Sequence, residues 1–272
     1  MYFPRFWSQA RKGGVSAWGF SDVSEAQAQA EGLKRVDRSI AWLQGDMDQE
    51  RGPYGYPNRP MREEVLREFR DAQGGLAAAV TRNSYGCLVL NTTRLLFVDV
   101  DEQSPGLLAA VSALFGRGGK FEPRLLADVQ KWVDARTDWG WRVYRTRAGI
   151  RLLATHEPIA PEEAVTAEAF HTFKADWLYR KLCVNQKCFR ARLTPKPWRC
   201  GVEKPQVRWP WPDATAQAAF ADWDRRYLAA AGNHATCRLL GHLGRTEIHP
   251  DLRELVTFHD TATRVDSQLP LA

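Results

Sequence analysis

Apolar side chains at Leu125, Leu126, Val129, Trp132 and Val133 recur at i, i+1, i+4, i+7 and i+8, which predicts a helix near 123–136 with one buried face. Leu33, Val36, Ile40 and Leu43 form a second stripe, interrupted by Gly32, behind a Ser24/Gln27 capping box. Short apolar runs at 2–8 and 15–20 flank Arg11-Lys12-Gly13-Gly14 and predict a hairpin ahead of that helix. Gly, Pro and Asp mark 45–60 as a loop, and 61–69 has helical composition. Strands are expected at 76–81, 86–90, 94–101, 141–145, 150–155 and 187–193, and helices at roughly 161–180 and 214–231. Phe220, Trp223 and Tyr227 share a face of the last of these, with Gly232 as its C-cap, and a shorter helical piece closes the chain. Pro-rich stretches at 194–198 and 209–212 bracket an extended segment that cannot sustain regular ladders. Mixed elements with local hairpins point to α+β rather than a doubly wound parallel sheet.

Composition narrows the class. The 272 residues are 44% apolar and 26% charged, which excludes disordered and low-complexity chains. No apolar run approaches the roughly 20 residues of a membrane helix, and the first residues lack a secretory h-region. Five cysteines, an odd number, are expected as reduced thiols in a cytoplasmic protein.

The net charge of +6 is unevenly placed. From Lys174 to Arg208 ten basic residues face two acids, and Arg142, Arg145, Arg147 and Arg151 lie within a stretch free of acids. These two segments carry +8 and +4, which leaves −6 for the rest of the chain. A basic band with interleaved Trp141, Tyr144, Phe189, Trp198, Trp209 and Trp211 suits a polynucleotide or nucleotide phosphate. Solvated arginines on exposed strands would read the same way.

Three segments carry candidate chemistry. Asp99 and Asp101 alternate on a strand, so both carboxylates project from one face and suit Mg²⁺ or Mn²⁺. Their alternative use is to cap a helix near Pro105 and face water. In the second segment, Arg145, Arg147 and Arg151 surround a turn at Gly149 and are expected to share one phosphate-binding face. In the third, Arg190 and Arg192 alternate on a strand that leads to Lys196. Cys183, Cys188 and Cys200, with Cys237 or His242, lack the close pairs of a zinc ribbon, so zinc is not expected and buried thiols are favoured. The stretch 116–120 resembles a phosphate loop only superficially, because Phe121 stands where Ser or Thr is required.

The order of these elements resembles the archaeo-eukaryotic primase superfamily over roughly 76–196: a strand ending in Asp-x-Asp, helices, a strand–turn–strand with a Thr-x-x-Gly core, then a basic strand ending in Lys. The resemblance implies an RRM-like palm in which Asp99 and Asp101 bind metal and a third acid completes the site. Asp176 is the nearest candidate for that acid, and Arg151 stands where the family carries a His. It implies three units: an N-terminal hairpin and helices (1–75), a central sheet (76–200), and a Trp/Pro-rich linker with a C-terminal helical appendage (201–272). The expected activity is that of a metal-dependent nucleotidyltransferase acting on nucleic acid and nucleoside triphosphate, with no membrane partner. Phosphate would be held by Arg145, Arg147, Arg151, Arg190, Arg192 and Lys196. A DNA- or RNA-binding protein that keeps the fold without the chemistry, and a metal-dependent nuclease, are the alternatives.

Overall fold

A computed structural model of the protein describes residues 1–45, 60–102 and 121–272. In chain order its first elements are strands β1 (Phe6–Lys12) and β2 (Val15–Ser21), helix α1 (Glu25–Gln44), and strands β3 (Glu64–Arg70), β4 (Leu76–Arg82), β5 (Leu88–Thr92) and β6 (Phe97–Asp101). Helix α2 (Phe121–Ala135), strands β7 (Gly140–Thr146) and β8 (Gly149–Ala154), and helices α3 (Ala164–Thr172) and α4 (Trp177–Gln186) follow. The chain continues through β9 (Phe189–Arg192), α5 (Ala214–Ala231), β10 (Cys237–Gly244) and α6 (Arg253–Thr263). The fold is α+β, and the strands within its three sheets pair antiparallel. The possible cap near Pro105 and the phosphate-loop-like stretch 116–120 lie outside the described residues.

β1 and β2 form the expected hairpin, and α1 lies across it. Gly32 is the centre of that contact rather than a break in an apolar stripe. A Cβ on Gly19 would sit 1.9 Å from the Ala28 carbonyl oxygen and 2.3 Å from the Gly32 nitrogen. Backbone therefore meets backbone, and the buried face of α1 is Ala28, Gly32 and Val36. Leu33 and Leu43, placed by periodicity on the buried side, are exposed. The capping box is half formed: Ser24 Oγ accepts from the Gln27 amide at 3.1 Å, while the Gln27 side chain bonds Ser21 instead.

Two four-stranded sheets make up the rest, with orders β3-β4-β5-β9 and β10-β7-β8-β6. Three sequence expectations are corrected here. Residues 64–70 form an edge strand, although Glu, Leu and Arg favour helix in isolation; pairing with β4 overrides that preference. The helix expected over 161–180 divides into α3 and α4 at Phe173-Lys174-Ala175, where Lys174 takes a left-handed φ of 57°. The C-terminal segment holds a strand as well as helices: β10 pairs with β7 and completes the second sheet.

One apolar core spans both sheets and takes in α2, α3 and α6, with Trp132, Trp139, Trp141, Phe170 and Phe173 among its largest members. α5 has its own cluster of Phe220, Trp223 and Tyr227. It docks through a two-pronged Arg82–Asp224 ion pair and through Trp223, which covers Gly86 so closely that a Cβ there would lie 2.2 Å from the ring. Tyr227 donates to the Pro195 carbonyl at 2.6 Å and so fixes the Pro-rich segment after β9. No helix among the described residues is long and apolar enough to cross a membrane. All five cysteines are free thiols.

Candidate phosphate-binding hollow

The end of β6, the β7–β8 turn and the segment after β9 meet around a small hollow. Its lining includes Asp99, Asp101, Arg147, Arg151, Arg192 and Arg199. The two acids and much of the basic band, distant in sequence, thus share one water-accessible place. Register explains how. β6 pairs with β8 so that Asp99 stands opposite Arg151 and Asp101 opposite Gly149. Gly149 is required there, because a Cβ would sit 2.0 Å from the Val100 carbonyl oxygen.

Arg151 is the pivot. It is buried, and its Nε and Nη2 donate to the two oxygens of Asp99 at 2.7 and 2.9 Å. Its Nη1 reaches the Arg192 carbonyl of the other sheet at 3.1 Å and lies 3.2 Å from His259 Nε2. That donation places the His259 proton on Nδ1, which faces Asp260 at 2.9 Å. Asp260 also accepts from Tyr144 OH at 2.7 Å and from Arg142, whose Nη1 meets His242 at 3.2 Å. A continuous polar network thus runs from the hollow through the core to His242.

Burial alone would raise the Asp99 carboxyl, but the Arg151 guanidinium overrides it and holds the group below the usual carboxylate range. Burial likewise disfavours charge on Arg151, and Asp99 more than compensates, so its pKa is raised. Burial pushes His259 down, with Arg151 adding to the effect against the pull of Asp260. His156, tilted at 36° against Trp139 with ring centroids 3.9 Å apart, is driven by burial to about 4.

These histidines set an acid limb of stability. Near pH 6.5 the unfolded chain gains their protons while the folded chain does not, so stability is complete above that pH and is lost as the pH falls below it, for His156 down to about 4. Asp99, depressed in the fold, adds a further loss only below about 3.9. The thermal midpoint is therefore expected to drop between pH 7.5 and 4.5, with His156 accounting for about 2 kcal/mol. A His156→Leu variant should flatten the fall; a midpoint that ignores pH would overturn this account.

Around the mouth stand cations without carboxylate partners. Among the described residues, none of Arg147, Arg192, Lys196 and Arg199 forms an ion pair. Arg192 Nε is buried with no hydrogen-bond acceptor. Partial burial and repulsion from Arg192 and Arg199 lower Lys196, and burial with repulsion from Arg192 and Arg147 lowers Arg199. Mutual repulsion that a sequence retains is relieved by an anion. Beside the mouth, Trp198 and Tyr85 are 46% and 41% exposed and meet edge to face with centroids 5.3 Å apart. Lys196 lies over the Trp198 ring at 5.4 Å, and Lys204 lies 5.9 Å from both rings.

Several site expectations change. Arg145, Arg147 and Arg151 do not form one band: Arg145 pairs with Glu102 at 2.9 Å, and Arg151 is an internal partner of Asp99. Arg190 is held by both oxygens of Glu63 at 2.7 and 2.8 Å, away from the hollow. Asp176 caps α4 by accepting from the Tyr179 amide at 2.9 Å, so it does not supply a third carboxylate to the hollow. A divalent cation between Asp99 and Asp101 would have to compete with the Arg151 guanidinium, which already engages both Asp99 oxygens. Among the described residues no group of three His, Cys, Asp or Glu could hold a metal. Trp198 belongs to the aromatic positions interleaved with the basic band and Arg199 to the ten basic residues of 174–208, but neither is a candidate site residue by sequence, and Tyr85 carries no such signal. Pro197 starts the 3₁₀ turn that places Trp198 and Arg199.

Compared with family models, with curated proteins and with solved structures, the chain matches none.

Proposed function

We propose that the protein binds nucleic acid without catalysing phosphoryl transfer, holding backbone phosphate at the hollow and a base on Trp198 and Tyr85. The observation that carries this reading is the convergence of Arg147, Arg192, Lys196 and Arg199, none in an ion pair, around two acids of which Arg151 has already neutralised Asp99, so that cations outnumber the remaining Asp101. Size favours one of the two ligand classes. The hollow encloses about 30 Å³, close to the space of one water, so it accepts a phosphate oxygen at its mouth rather than a triphosphate tail. Two exposed rings next to cations supply the sequence-tolerant stacking that single strands use. The order β6-α2-β7-β8-α3-α4-β9 follows a β-α-β-β-α-β succession and supports a distant primase-like scaffold, although β9 bonds to β5 in the other sheet.

A metal-dependent nucleotidyltransferase is the second reading, favoured by the presence of Asp99 and Asp101 at the same hollow. Fluorescence anisotropy with a single-stranded oligonucleotide, with and without Mn²⁺, separates the two. A binder shows a log–log salt slope of about −0.7 per phosphate contact and the same affinity with or without Mn²⁺. Nucleotide binding that appears only with Mn²⁺ would establish the second reading, and no binding of either ligand at moderate salt would end both.

A further inference from the structure

A large cleft lies outside this site, in the N-terminal module. It encloses about 740 Å³ between the hairpin and α1, within the roughly 300–1,000 Å³ of ligand-binding clefts. Its walls combine Trp7, Trp18 and Phe20 with Arg35, Arg38 and Arg62. The Arg62 guanidinium lies over the Trp18 ring at 4.1 Å, and Arg35 covers Phe20 at 4.5 Å while donating to the Trp18 carbonyl. Among the described residues, Arg38 and Arg62 have no carboxylate partner. Arg62 is half-buried, and both its burial and the nearby positive charge of Arg208 weaken its hold on its proton.

The cleft also connects to the first site. Arg62 lines a second small pocket together with Asn83, Ser84, Arg208 and Trp209. Ser84 adjoins Tyr85, which touches Trp198, and Trp198 adjoins Arg199 at the hollow. Cations and aromatic rings therefore follow one another through adjoining positions from Arg199 to Arg38. Of the acidic residues near this path, Glu63 is engaged by Arg190 and Asp224 by Arg82, while Asp101 stands at the hollow end among the cations.

We infer that this N-terminal cleft is a second contact for the same ligand, which makes that ligand a single-stranded polynucleotide running from the Arg199 hollow past Tyr85 to Trp18. The inference rests on the proposed function and extends it to length: neither a mononucleotide nor a flat duplex end can reach both places. Arg38 and Arg62 take backbone phosphates, and the Trp18 ring, already faced by a guanidinium on one side, offers a stacking surface.

The test uses the full chain and labelled thymidine oligomers of about four and about sixteen nucleotides, lengths that bracket the span of single-strand sites. The Arg38→Glu/Arg62→Ala variant is expected to bind the long oligomer about tenfold more weakly and the short one unchanged, with an unaltered thermal midpoint. An iodouracil-substituted long oligomer should crosslink to Trp18 on irradiation. Unchanged affinity for the long oligomer in that variant, together with no adduct at Trp18, would overturn the inference and leave the proposed function standing. Failure of wild-type protein to bind either length would instead overturn the proposed function.

Discussion

Asp99→Ala is expected to destabilise the protein by about 3–5 kcal/mol, read as a lower urea midpoint at unchanged m-value. The substitution leaves the Arg151 guanidinium, whose side chain is only 2% exposed, without its anion. Arg151 cannot escape by losing its proton, since arginine stays charged. Its remaining contacts, the Arg192 carbonyl and His259 Nε2, are neutral acceptors that do not balance a full charge. The reverse change, Arg151→Met, should cost less, about 3 kcal/mol, because Asp99 keeps a side chain 35% exposed and can rehydrate. Combining Asp99→Leu with Arg151→Met should recover part of the loss, as buried ion pairs commonly tolerate apolar replacement. Were Asp99→Ala to melt like wild type, the ion pair would not be structural, and the carboxylate would be open to a ligand. Any loss of binding in Asp99 variants therefore has to be read against their stability.

Lys196→Ala/Arg199→Ala should show the opposite pattern. Two phosphate contacts removed from a single-strand site lower the salt slope by about 0.7 each, and affinity at moderate salt should fall by more than tenfold. The fold should not suffer, because repulsion from neighbouring arginines outweighs the attraction of Asp101 at both side chains, and neither forms an ion pair. An unchanged or slightly higher thermal midpoint together with weakened binding is the signature of a cation cluster maintained for a ligand. A lower midpoint with intact binding would assign the pair to structure and remove the main support for the proposed function.

Sequence patterns revealed the parts of the molecule governed by short-range rules. The β1–β2 hairpin, α2, the β7–β8 pair and α5 all follow apolar periodicity or turn chemistry, and each was placed within a few residues. The alternation of Asp99 and Asp101 also put them at the end of a strand beside the basic turn. Long-range partners decided the rest. Whether an arginine faces a phosphate or a carboxylate depends on residues far along the chain: Glu63 for Arg190, Asp99 for Arg151. β10 was missed because Arg238, Gly241, His242 and Gly244 break any strand pattern, and its place is set by β7. Trp198 and Tyr85 come together at the surface from two turns far apart in sequence, the 3₁₀ turn at Pro197–Arg199 and the turn between β4 and β5, so their contact is not legible in the chain.

The seam between the hairpin and α1 has a consequence for the N-terminal cleft. Because Gly19 and Gly32 bring two backbones together, the distance from Trp18 to Arg35 and Arg38 is set by the methyl groups these two positions lack. A side chain at Gly19 would act as a wedge and splay the walls without touching any residue that lines them. Two of the smallest residues in the chain thus determine the gauge of that opening.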